Sequence, residues 1–124
     1  MSDAVPSVRR RALGAAGEDR VAGWYLERGY EVLARNWRSS TGEIDLVVGD
    51  RGVLVFCEVK TRTSGRFGQP FEAVTRAKQV RLRQLAAEWL RSPGRPRRSG
   101  PPPEIRFDVA SVGPGGIDVI EGAF

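Results

Sequence analysis

The spacing of apolar and polar positions divides the chain into segments of different period. From about Val8 or Ala12 to Arg28, an inward stripe runs through Ala15, Glu18, Ala22, Tyr25 and Leu26 at intervals of three and four. That predicts a helix, with Gly29 as the residue that ends it. Tyr30–Arg38 alternates moderately and predicts a strand, and residues 39–42 (Ser-Ser-Thr-Gly) form a turn after it. Two β-branched runs follow within Glu43–Lys60, joined by Gly-Asp-Arg-Gly, which is a hairpin signal. A second helix is expected from about Phe71 or Thr75 to Arg91, with Lys78, Leu82, Leu85 and Trp89 on one face and Ser92-Pro93 as its stop. Ile105–Val112 alternates as a strand, and Ile117–Ile120 is a further short one. Residues 1–7 are expected to be disordered, residues 8–124 to form one domain, and the Pro/Gly/Arg segment 92–103 to be a flexible loop. The order α-β-β-β-α-β with a short last strand predicts a single α/β domain, a mixed sheet flanked by helices.

The hairpin organises the rest. Residues two apart on a strand share a face, so Glu43 pairs with Asp45, and Glu58 with Lys60. A loop of two or four residues places Asp45 on the same face as Phe56, Glu58 and Lys60, whereas a three-residue loop turns it away. In the even case the carboxylates of Asp45 and Glu58 lie roughly 5–8 Å apart, close enough to share a divalent cation. Ile44, Leu46, Val48, Val53, Val55, Cys57 and Val59 are expected to form an apolar wall on the other face.

Composition narrows the chemistry. There is no histidine, which excludes His-based triads and imidazole metal sites and leaves oxygen ligands, hence Mg2+ or Mn2+. The lone Cys57 sits on the apolar face, which suits a buried thiol in a cytoplasmic protein. No apolar run approaches a membrane span. The net charge of +5 suits a polyanionic partner. Only two of the 20 cations are lysines, Lys60 and Lys78. Either they mark places where a compact ammonium is needed, or they are chance survivors of an Arg-rich composition. Glu18 lies on or beside the buried edge of the first helix. It reads as a boundary glutamate paired with an arginine, or as a third carboxylate reaching toward the hairpin. Lys78 reads as a core-edge lysine that snorkels outward, or as a second cation aimed at the same place. The polar segment 61–70 leaves directly from Lys60 and carries Arg62 and Arg66, which suit phosphate contacts or a solvated connector.

Two carboxylates, a lysine and a hard divalent cation make a phosphodiester hydrolase. Asp45 followed by Glu58-Val59-Lys60 on a paired strand, in this order of elements, resembles the PD-(D/E)xK nuclease superfamily. Gly-Glu-Ile-Asp-Leu (42–46), Phe-Cys-Glu-Val-Lys-Thr-Arg (56–62), Phe-Gly (67–68) and Arg-Phe-Asp (106–108) look like the YraN-like family of small bacterial proteins of uncharacterised function. The resemblance implies a restriction-endonuclease-like domain, Asp45 and Glu58 as metal ligands and Lys60 as the catalytic lysine. Similarity to the Holliday-junction-resolvase branch further implies Glu18 as an acid and ligand contributed by the first helix, and Lys78 as a site residue on the following one. One departure is that Ile44, not proline, precedes Asp45. The expectation is a Mg2+-dependent nuclease acting on DNA, including branched DNA; resolvase-like action would call for a homodimer. The alternatives are a nucleic-acid-binding module without turnover and a partner-binding structural protein.

Overall fold

The computed structural model describes residues 4–50, 52–62, 74–96 and 100–124, with the side chains of residues 4–13 outside the description. Helix α1 (Ala4–Glu27) leads into strands β1 (Glu31–Ser39), β2 (Gly42–Gly49) and β3 (Val53–Thr61). Helix α2 (Arg76–Arg91) and strands β4 (Glu104–Gly113) and β5 (Gly116–Ile120) complete the chain. The result is a small α/β domain: one five-stranded sheet in sequence order, with a helix on each face. All neighbours are antiparallel except β3 and β4, which are parallel because α2 carries the chain back between them.

Local chemistry explains the boundaries. α1 ends in a Schellman motif: Gly29 adopts φ 88°, its N–H donates to Leu26 O, and the Tyr30 N–H donates to Tyr25 O. α1 opens at Ala4, ahead of the expected Val8 or Ala12, and Pro6 falls in its first turn, where proline is tolerated. α2 starts at the Thr75 cap, whose hydroxyl accepts from Lys78 N, and stops at Ser92 before Pro93. β1 and β2 meet at a two-residue turn, with Ser39 opposite Gly42.

Each sheet face buries its own cluster. Val21, Ala22 and Tyr25 of α1 cover Leu46, Val48, Val55, Cys57, Ala110 and Val112. Leu82, Leu85, Ala86 and Trp89 of α2 cover Ile44, Val47, Leu54, Phe56 and Phe107. Two expectations are corrected here. The inward stripe of α1 runs through Val21, while Ala15 and Leu26 face solvent. Ile44 lies on the α2 face, not with Leu46 and Val48. The physical reason is that the described β2–β3 ladder ends at Leu46–Cys57, and beyond it β2 turns its side chains over.

A buried polar network ties α1 to β4. The Tyr25 hydroxyl donates to Asp108, which is fully buried and also receives two bonds of 2.9 Å from Arg106 and one of 3.0 Å from the Gly122 N–H. Burial pushes the Tyr25 phenol far above its ordinary range, and the charges of Cys57 and Asp108 add to this. The Asp108 hydrogen bond raises the Arg106 pKa against the opposing effect of burial. Among the described residues no helix is long and apolar enough to cross a membrane.

Candidate active site

The pairing of β2 with β3 settles the register question. Leu46 faces Cys57, Val48 faces Val55 and Gly49 faces Leu54, so four residues separate the last of these partners. The even-loop case therefore applies. Continued one position, the register brings Asp45 opposite Glu58. Main-chain pairing gives way there to a side chain: the Val59 N–H donates to Asp45 Oδ2 at 2.8 Å. Asp45 thus serves as a ladder acceptor and holds its carboxylate at the edge where the strands part.

A pocket of about 190 Å³ opens beside it, lined by Glu43, Asp45 and Glu58 from the hairpin and by Lys78, Arg81 and Leu82 from α2. Lys60 Nζ lies 3.1 Å from Glu58 Oε2, with both side chains about three-quarters buried, at 24% and 23% exposure. Burial lifts the Asp45 pKa to about 7, and the charges of Glu58, Glu18 and Glu43 push it the same way against the Val59 hydrogen bond. Asp45 is therefore a carboxyl poised near neutrality. Burial draws the Lys60 pKa down, but a hydrogen bond with Lys78 and attraction to Glu58 and Asp45 outweigh it, and the net shift is upward. Lys78 moves downward, through the hydrogen bond with Lys60 and then through its charge. The two ammonium groups oppose each other's charge, and the one beside the carboxylates keeps its proton.

Four of the expected residues come together here: Asp45, Glu58, Lys60 and Lys78. Glu18, on α1, is not among the residues that line the pocket, and its charge reaches Asp45. Its pKa is raised by burial and by the charge of Glu43, against a hydrogen bond from Asn36 and the charge of Arg35. Among the described residues no group of three or more acidic or thiol side chains is gathered closely enough to hold a metal, so Asp45 and Glu58 stand as a pair and Glu18 acts through its field. Arg62 follows Thr61, the last residue of β3, and its Nε donates to Ser111 Oγ at 3.0 Å. Arg66 lies outside the described residues. Cys57 is fully buried and burial raises its thiol pKa, as its place on the apolar face implied.

Two contributors escaped the sequence reading. Arg81 lies over the β1–β2 turn, where Gly42 at φ 152° leaves room: a Cβ there would stand 3.4 Å from Arg81 Cδ. Asn36 carries the other signal, a polar residue poorly suited to strands in the middle of one.

The comparisons with known proteins agree on one family. The model of Uncharacterised protein family UPF0102 matches residues 17–112, a span that takes in both sheet faces and every described site residue. A UPF0102 protein of Beutenbergia cavernae is 55% identical over 82% of this chain and 81% of its own length. Those of Rhodococcus jostii and Symbiobacterium thermophilum are each 50% identical, over 82% and 85% of this chain and 81% and 85% of their own lengths. The chain belongs to the UPF0102 family.

Proposed function

We propose that the protein is a divalent-metal-dependent nuclease that hydrolyses phosphodiester bonds in DNA, branched DNA included, on a restriction-endonuclease-like fold. The observation that carries this reading is the Asp45–Glu58 pair, forced together at the parting of two strands with Lys60 bonded to Glu58. The donor set fits Mg2+ or Mn2+. Both ligands offer hard oxygen, and the charge of Glu58 raises the cost of ionising Asp45, which a cation relieves. Magnesium is commonly bound by one or two carboxylates plus substrate phosphates, so a pair suffices. A bound cation there supplies Lewis-acid polarisation of a phosphoryl oxygen.

The chain's own residues supply the rest. The Lys60 ammonium, held by Glu58, stabilises negative charge developing on the transferred phosphoryl group. Lys78 and Arg81 present two further cations from α2 on the opposite wall of the pocket. Arg62, two residues beyond Lys60 and just past the end of β3, meets a flanking phosphate.

A second reading rests on the same ion pair. Glu58 and Lys60 already neutralise one another, as they would in a binding module without turnover. Purified protein incubated with circular, linear and branched DNA in Mg2+, Mn2+ or EDTA separates the two. Metal-dependent cleavage lost in both Glu58→Ala and Lys60→Ala supports the nuclease. Binding without cleavage under every metal favours the module, and the absence of both leaves a structural role.

A further inference from the structure

We propose that a cleft at the carboxyl ends of β3 and β4 holds a backbone phosphate of a single nucleic-acid strand between Arg20 and Arg62. This deepens the nuclease reading and rests on it for the path of the strand, while the phosphate cleft stands on its own geometry.

The cleft has a volume of about 340 Å³ and lies between α1 and the ends of the two strands, with Gly17, Arg20, Thr61, Arg62, Val112 and Gly113 among its walls. β3 and β4 are the parallel neighbours of the sheet, and crevices outside the carboxyl ends of parallel strands are where α/β sheets bind ligands. A close approach shuts it on one side: a Cβ on Gly17 would overlap Thr61 Oγ1.

Both arginines are tied to the end of β4. The Arg62 N–H donates to Val112 O at 2.7 Å, which carries the pairing of β3 with β4 one residue past Thr61. Its Nε donates at 3.0 Å to Oγ of the buried Ser111. Arg20 arrives from α1, and its Nη1 donates to Gly113 O at 3.5 Å. Ser111 and Gly113 are two residues apart, so these anchors stand roughly 7 Å apart along β4. A phosphate between the two guanidiniums can accept a charge-assisted hydrogen bond from each side. The anchoring bonds go to a neutral hydroxyl and a neutral carbonyl, so they fix position without cancelling charge. No acidic side chain among the described residues lines the cleft.

Alternation along β3 connects this cleft to the candidate site. Phe56 and Glu58 lie on the α2 side of the sheet, Cys57 and Val59 on the α1 side. Lys60, bonded to Glu58, continues the first row, and Thr61, against Gly17, continues the second. The two clefts therefore open on opposite faces at one strand end. A strand whose scissile phosphate sits at Glu58 and Lys60 crosses that end to set another of its phosphates between Arg20 and Arg62. Duplex DNA is too stiff to fold over so short an edge, so the cleft selects a single-stranded segment.

Fluorescence anisotropy in EDTA measures binding without cleavage, on single-stranded, duplex and branched oligonucleotides over a range of salt. Arg20→Gln and Arg62→Gln should each weaken single-strand binding roughly tenfold, as expected for a lost hydrogen bond to a charged group. Each should also lower the dependence of log K on log salt by about 0.7, the share of one phosphate on a single strand. Duplex affinity should barely change. Arg28→Gln, just past the other end of α1, removes the same charge and should leave single-strand affinity in place. NMR separates a strand from a free phosphate: the Thr61, Arg62 and Gly113 amide signals should shift with a short oligonucleotide at concentrations where inorganic phosphate and a mononucleotide leave them unmoved. Inorganic phosphate or the mononucleotide binding as tightly as the oligonucleotide overturns the strand assignment. Wild-type affinity in both cleft variants, an equal loss in Arg28→Gln or on duplex, or amide signals that the oligonucleotide does not move overturn the proposal. Absence of cleavage in Mg2+ and Mn2+ sinks the nuclease reading alone, because every readout of the cleft is taken in EDTA.

Discussion

Removing the charge from Asp45 should stabilise the protein at neutral and alkaline pH. Burial, with the neighbouring carboxylates, lifts Asp45 from 3.8 to about 7 in the folded state. Between those values the native state holds a proton that the unfolded chain has released, so stability falls as pH rises. At about 1.4 kcal/mol per pKa unit the full loss is at most roughly 4 kcal/mol, reached just above pH 7. Asp45→Asn keeps an oxygen able to accept the Val59 N–H and removes the charge. Its advantage over wild type should be near zero below pH 4, grow through pH 5 and 6, and level off above pH 7. Urea denaturation at each pH measures this directly, with unchanged m values as the check that both proteins unfold alike. Adding Mg2+ at pH 8 should stabilise wild type and leave Asp45→Asn nearly unmoved. A stability difference that stays flat from pH 4 to 8 would refute the account of a crowded, buried carboxyl.

Other substitutions probe the scaffold. Tyr25→Phe removes one donor from the buried Asp108 and should cost about 1–3 kcal/mol in chemical denaturation, with the sheet otherwise intact. Gly23 of α1 has open space around it, so Gly23→Ala should raise stability by roughly 0.5–1 kcal/mol through helix propensity. Gly17→Ala should lose that gain, because its Cβ would meet Thr61 Oγ1, and thermal melts of the two alanine variants side by side test the contrast.

The element order was legible because each segment carried its own period and punctuation: Gly29, the Ser39–Gly42 turn, the Thr75 cap and Pro93 all act locally. The shared face of Asp45 and Glu58 was legible only up to the parity of one loop, and the loop proved even. The facing of α1 was harder to read. Its glycines and alanines allow several stripes of similar quality, and the choice of Val21 over Ala15 and Leu26 follows from where the sheet lies. The exchange of faces at Asn36 and Asp45 lay beyond any alternation argument. It arises where a side chain replaces a main-chain acceptor and one residue takes a left-handed turn, events set by tertiary contacts.

The buried Asp108 network and the Arg35–Asp19 ion pair act on the same helix at two separate points. Tyr25 and Asp19 are six residues apart, and so lie roughly 9 Å apart along the axis of α1. A helix fixed at one point on a sheet can still swing or roll about it. Tied at Tyr25 to β4 and at Asp19 to β1, α1 resists both. β4 and the edge strand β1 lie on opposite sides of β2 and β3, so the helix lies across the strands rather than along one. Gly17, beside Glu18, lets α1 approach Thr61 at the end of β3, one residue past Lys60. A carboxylate on a helix would ordinarily be too mobile to serve a reaction that depends on ångström placement. The buried Tyr25 anchor, the Asp19–Arg35 ion pair and the close Gly17 contact fix where α1 meets the sheet, and so fix the backbone that carries Glu18.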